Sequence, residues 1–196
     1  RVDRRQRQMC IRDRINMGVL SLTKRKKTYR PEQILNAVHH HRGLLWEKIE
    51  AFKHLISSVD GTATHKIGEP QEKLMKKYYP LKHHFEGGLY TREIFMPQGH
   101  ICVSFIHKQQ HPSFLVKGKL SYLNDEGEVK NIEAPHTVFT QIGTQRVFYI
   151  HEDTTWICVY KTDADNVEDA EKEIYADSFV ELPKEIINKA LELCQD

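Results

Sequence analysis

Long apolar runs are missing from this chain of 196 residues. No stretch approaches the ~20 consecutive apolar residues that a membrane-spanning helix needs, so no membrane association is expected. Cysteine is sparse, with four at positions 10, 102, 158 and 194 and no CxxC pair among them. That argues against a zinc ribbon or a disulfide framework. Cys102 and Cys158 lie in strand-like runs and read as buried core thiols. A Walker loop, a GxGxxG turn and a nucleophile elbow are absent too, which removes three common enzyme classes from consideration. There is no internal repeat and no low-complexity tract. The leading residues lack the apolar core of a secretory signal, and a cytoplasmic location is expected.

Net charge is small, at +2, and its distribution matters more than its sum. RVDRRQRQMCIRDR (Arg1 to Arg14) resembles read-through of sequencing-adapter DNA. Residues 1–16 are therefore expected to be foreign to the natural protein, with Met17 as its start. They carry six Arg and two Asp, so the chain from Met17 onward stands at −2. A short basic arm follows, with Lys24, Arg25, Lys26, Lys27 and Arg30. Such runs are usually solvated tails. From Pro31 onward there are 18 basic and 25 acidic residues, a balance of −7. Nucleic-acid recognition would need a clustered basic face, so a nucleic-acid partner is not expected.

What is present divides into three patterns. From Pro31 to Ser58, Ile34, Val38, Leu45, Ile49, Phe52 and Ile56 recur at helical spacing and make one apolar stripe. A shorter helix is predicted from Pro70 to Tyr79, closed by Pro80. From Leu89 the period changes to two. LYTREIFM, HICVSFIH, SFLV, GKLSYL, EVKNIEA, TVFT, RVFYIH and TTWICVYKT are short, β-branched or aromatic, and bounded by turn residues. NDEG (Asn124 to Gly127) reads as a hairpin turn. About eight closely spaced strands predict a sandwich or barrel. The tail returns to helix over Val167 to Ala176 and Pro183 to Cys194. The expected organisation is a basic tail and helical arm over 17–80, a β-barrel over 81–162 and a helical tail over 163–196.

Within the barrel, GHICVSFIHKQQHPSFLVKG (Gly99 to Gly118) carries His107 and His111 between two glycines, and QIGTQRVFYIH ends in His151. This order resembles the two motifs of the cupin superfamily. The first motif runs Gly, five residues, His-x-His, three or four residues, Glu, six residues, Gly. Gly99 opens it here, Phe105 takes the place of the first histidine, and His107 falls on the second. His111 stands at the glutamate position, and Gly118 closes the motif. In the second motif Gln141 replaces a proline, Gly143 matches, and Arg146 stands where the family has a metal-binding histidine. The resemblance implies a mostly β chain with flanking helices, a cupin-type double-stranded β-helix (jelly-roll barrel), and a small ligand or metal held inside. A more specific similarity, from about Lys82 to Ile174, is to uncharacterised small cupin-like proteins of tailed phages and metagenomes. That setting implies the host cytoplasm.

The residues suggest two chemistries. One divalent ion (Fe, Mn, Ni or Zn) could be held by His107, His111 and His151, because imidazole suits such metals when three or four donors converge at about 2.0–2.2 Å. His151 lies on the opposite strand face from Arg146, Phe148 and Ile150, so a bulge would have to re-aim it. Alternatively, Arg146 keeps the inward direction of the histidine it replaces. Its guanidinium then meets either a carboxylate or phosphate ligand, bidentately, or a structural partner such as Glu93. Arg146, Glu93 and Tyr149 are the candidate ligand-binding residues. Tyr90 and Arg92 share a strand face and Glu93 takes the other. The expected function is binding of a small polar or anionic molecule. A metal-free barrel serving as a phage accessory, sensor or assembly protein is the alternative. A homodimer is expected, formed through the long helix or a sheet edge.

Overall fold

The computed structural model describes residues 45–57, 76–124 and 128–192. Helix α1 spans Leu45–Ser57. Ten strands follow: β1 Leu81–Glu86, β2 Leu89–Met96, β3 Ile101–Val103, β4 Ile106–His107, β5 His111–Lys117, β6 Lys119–Leu123, β7 Val129–Glu133, β8 His136–Thr140, β9 Val147–Ile150 and β10 Thr154–Lys161. The chain then forms α2 (Val167–Ile174), β11 (Tyr175–Ala176), a 3-10 turn (Phe179–Glu181) and α3 (Lys184–Glu192). The first half of the predicted long helix, the start of the Pro70 helix, residues 125–127 of the NDEG turn and Cys194 lie outside the described residues.

All pairings are antiparallel. One sheet has the order β1-β2-β10-β5-β8 and the other β3-β9-β6-β7. From β2 onward the chain passes back and forth between the two sheets, except where β6 and β7 form a hairpin within the four-stranded one. Strand β10 lies between β2 and β5, and β9 between β3 and β6. That is the double Greek-key order of a jelly roll. A short third pairing, β4 with β11, closes one end.

The predicted strands appear with two differences. HICVSFIH breaks at Ser104 and Phe105 into β3 and β4. Ser104 N–H donates to Arg146 O (2.9 Å) and Ser104 Oγ accepts from Arg146 N–H (2.9 Å), so the chain is pinned where it changes sheets. Strand β1 adds an edge that the sequence pattern missed, since KHHFE looks polar. Only one of its faces meets the core, hence its strict alternation of half-buried and exposed residues.

The main core lies between the sheets. Alternation along β10 sends Trp156, Cys158 and Tyr160 inward, as period two demands. They meet Leu115 of β5, Leu120 and Tyr122 of β6, and Phe148 and Ile150 of β9. Ala170 and Ile174 of α2, with Tyr175, belong to the same core, so the tail after residue 162 completes the barrel. On the outer face of the four-stranded sheet, Ile49 and Phe52 of α1 pack on Leu123 and Val147. The described part of the helical stripe is thus buried against its own barrel.

Gly118 joins β5 to β6 at φ +88°, and Gly99 precedes β3 at φ +81°. Side chains are disfavoured at both by left-handed backbone sterics, at about 1–2 kcal/mol. At Gly118 a Cβ would also sit 2.5 Å from Asp153 O and 2.8 Å from Thr154 Cα, whereas at Gly99 it meets nothing within 4 Å. Urea denaturation should show Gly99→Ala costing about 1 kcal/mol and Gly118→Ala at least twice that.

Candidate functional site

The inward residues change character toward one end of the barrel. Beyond Leu115 and Trp156 come Ser113, His111, Cys158 and Tyr160, then Thr140 and Arg146. Among the described residues, the charged side chains with the least exposure are Arg92 and Arg146, and no Asp or Glu is fully buried. A buried polar cluster has replaced part of the greasy core.

Backbone hydrogen bonds build it from both sequence motifs. His107 N–H donates to Thr144 O (3.1 Å), and Gly143 N–H donates to His107 O (2.7 Å). The glycine turn of the second motif therefore clasps the histidine of the first. On its other side, β4 pairs His107 with Tyr175 of β11. His111 opens β5, the next strand, after the KQQ turn. The two imidazole centroids stand 4.6 Å apart. His107 is 7% exposed and His111 2%.

Tyrosines wall the pair. The Tyr160 ring lies 4.2 Å from that of His111, and its hydroxyl lies 3.4 Å from His107 Nδ1 and 3.1 Å from the Tyr175 hydroxyl. Tyr175 packs edge-on against His107 and stacks on Phe105. Arg146 enters from the start of β9. Its Nη1 donates to Thr140 Oγ1 (3.0 Å), and its guanidinium carbon lies 5.3 Å from the Tyr122 ring centroid, within cation–π range. Thr140 Oγ1 and Ser113 Oγ are 3.4 Å apart, and Ser113 Oγ is 3.5 Å from Cys158 Sγ. Arg92, on β2, faces Glu171 of α2, with Nε 3.9 Å from the carboxylate.

Burial penalises charge on both histidines. It holds His107 well below the ordinary histidine range, helped by His111, Arg146 and Arg92. It holds His111 down to about 4, with the Arg146 cation helping and the Gln109 carbonyl opposing. Both rings are neutral at pH 7. A base that weak takes no proton at neutral pH, yet its lone pair still accepts hydrogen bonds.

Of the six residues expected at the site, three meet here: His107, His111 and Arg146. Three do not. His151 sits past β9 with Nε2 on Ser121 Oγ (2.5 Å), and Ser121 in turn bonds Asn131. No bulge turns it inward, so it stays on the outer side of the four-stranded sheet. Tyr149 has the wrong parity as well and packs with the α1 cluster. Glu93 faces out from β2 and pairs with Lys82 directly across the strand, 2.7 Å away. The residues that sequence reasoning missed are Thr140, Ser113, Tyr160, Tyr175 and Arg92. Strand parity alone could have found Ser113, two positions from His111. Tyr175 looked like a helix residue and gave no signal.

A resident metal needs more than this chamber offers. Among the described residues, no three His, Cys, Asp or Glu side chains converge on one point. The two imidazoles share their space with the Arg146 cation, which repels a divalent ion. The donor set does not fit the three or four ligands that such an ion takes.

No family model matches the chain, and no curated relative does. Solved structures similar to it include a Cupin_2 domain of an XRE family transcriptional regulator from Enterobacter cloacae, at 13% identity and TM-score 0.38, covering 44% of this chain and 99% of that one. Ectoine synthase from P. lautus is similar at 11% identity and TM-score 0.42, over 50% of this chain and 73% of that one. The EutQ protein of Clostridium difficile is similar at 17% identity and TM-score 0.36, over 43% and 68%. The jelly-roll assignment rests on the strand order given above.

Depressed histidine pKa values have a sign that stability can report. In the unfolded chain both rings take a proton near the ordinary value of about 6.5, but in the fold they resist it. Between pH 6.5 and about 4 the unfolded state binds more protons. Stability is therefore fully present above pH 6.5 and falls as the pH drops toward 4. Urea midpoints measured across that window should decline, and His111→Phe should flatten the decline.

Proposed function

We propose that this cupin-like jelly roll binds a small anionic molecule at His107, His111 and Arg146, without a resident metal. The observation that carries this is Arg146. The residue is 5% exposed, and its guanidinium is directed onto Thr140 in the same buried cluster as two neutral imidazoles. A buried guanidinium among neutral polar groups attracts a carboxylate or phosphate, and its planar fork can hold either bidentately. The low local dielectric strengthens that attraction. Neutral histidines and tyrosine hydroxyls add directional hydrogen bonds without competing charge. Specificity then comes from a few placed polar groups held by the barrel wall.

The test has two arms. Purified protein, loaded with Fe, Mn, Ni or Zn and dialysed, should retain well under one metal per chain by elemental analysis. Stoichiometric retention that His107→Ala and His111→Ala abolish would sink the metal-free reading. Small carboxylates and inorganic phosphate should raise the melting temperature. At ten times Kd the stabilisation is about 1.4 kcal/mol, or roughly 3–5 °C for a chain of this size. Arg146→Gln should remove that rise, and Arg146→Lys should keep part of it.

A further inference from the structure

His111 and Arg146 together narrow the class of anion. His111 Nδ1–H donates to the Gln109 backbone carbonyl, 3.1 Å away. In a neutral imidazole the other nitrogen is then a bare acceptor. That atom, Nε2, is fully buried and has no hydrogen-bond partner. A buried polar atom left so costs about 1–3 kcal/mol, and the large majority in folded proteins have a partner. The missing group must be a donor, because the tautomer is fixed by a carbonyl that can only accept.

Arg146 is the immediate neighbour. His111 and Thr140 face each other across β5 and β8, and Thr140 Oγ1 is where the Arg146 Nη1 points. Residues directly opposed on antiparallel strands have Cα atoms about 4.5–5.5 Å apart. A donor for His111 and an anionic acceptor for Arg146 are therefore called for on neighbouring strands of one face, as a small molecule carrying both groups would supply.

We propose that the ligand is a 2-hydroxy carboxylate, whose hydroxyl donates to His111 Nε2 while its carboxylate accepts from Arg146. This deepens the anion-binding function above and rests on it. An unsubstituted carboxylate offers no donor, and an ether at the same carbon sets lone pair against lone pair. A 2-amino acid brings a donor but places a second cation beside Arg146.

Calorimetry on the full chain with butyrate, 2-hydroxybutyrate, 2-methoxybutyrate and 2-aminobutyrate separates these cases. The hydroxy acid should bind about tenfold tighter than the other three, the equivalent of one hydrogen bond at a buried site. His111→Phe should abolish the advantage of the hydroxy acid over butyrate, so that the two bind alike. Arg146→Gln should weaken every acid. Nitrogen-15 spectra of the wild-type histidine rings give a second readout that needs no variant. The Nε2 resonance of His111 should move on adding 2-hydroxybutyrate and stay in place with butyrate. Equal affinity for butyrate and 2-hydroxybutyrate, as when a buried water satisfies Nε2, overturns the hydroxy-acid assignment and leaves the anion site standing. A bound hydroxy acid with an unmoved Nε2 resonance does the same. No binding by any of the acids overturns both.

Discussion

A closed two-sheet barrel must fill its interior, and period-two alternation decides with what. On β10 and β5 the inward register brings Leu115 and Trp156 to one end and Ser113, His111, Cys158 and Tyr160 to the other. The apolar end supplies the hydrophobic stabilisation, at roughly 25 cal/mol per Å² of apolar surface removed from water. The polar end works against it unless every group finds a partner. Thr140, Ser113, Tyr160 and Tyr175 meet most of that demand through mutual contacts. His111 Nε2 is among the buried atoms whose demand is left unmet, and there the fold carries a local cost that a ligand can relieve.

Much of the fold was legible in the sequence, because strands with one buried face announce themselves. TTWICVYKT and LYTREIFM are rich in β-branched and aromatic residues, and both became single strands, β10 and β2. The glycine spacing was legible too, since the turns at Gly99, Gly118 and Gly143 need positive φ and few other residues tolerate it. What could not be read was parity at strand ends. His151 follows Ile150 by one residue, so its face follows from the pattern. Whether a bulge reverses that depends on contacts such as Ser121 Oγ, thirty residues away. Strand β1 stayed hidden because an edge strand with one solvated face looks like polar loop.

The candidate site was legible in part for the same reason. His107, His111 and Arg146 occupy positions where the superfamily resemblance places inward side chains, and the barrel turns them inward. The resemblance could not say that Arg146 stands among neutral imidazoles rather than beside Glu93. That outcome follows from Glu93 taking the opposite face from Arg92 and meeting Lys82 there. Electrostatics at the site is therefore a product of register, which local sequence specifies only when both strands are considered together.

The β4–β11 pairing has an architectural consequence. Eight jelly-roll strands ordinarily suffice to enclose a core, and here the tenth strand ends at Lys161. Yet the wall behind His107 is Tyr175, the plug beneath it is Ile174, and Glu171 reaches back to Arg92. A minimal domain cut after the last barrel strand would lose part of its core and one side of its polar cluster. The segment beyond the barrel is a keystone, and the polar end of the vault stands open without it.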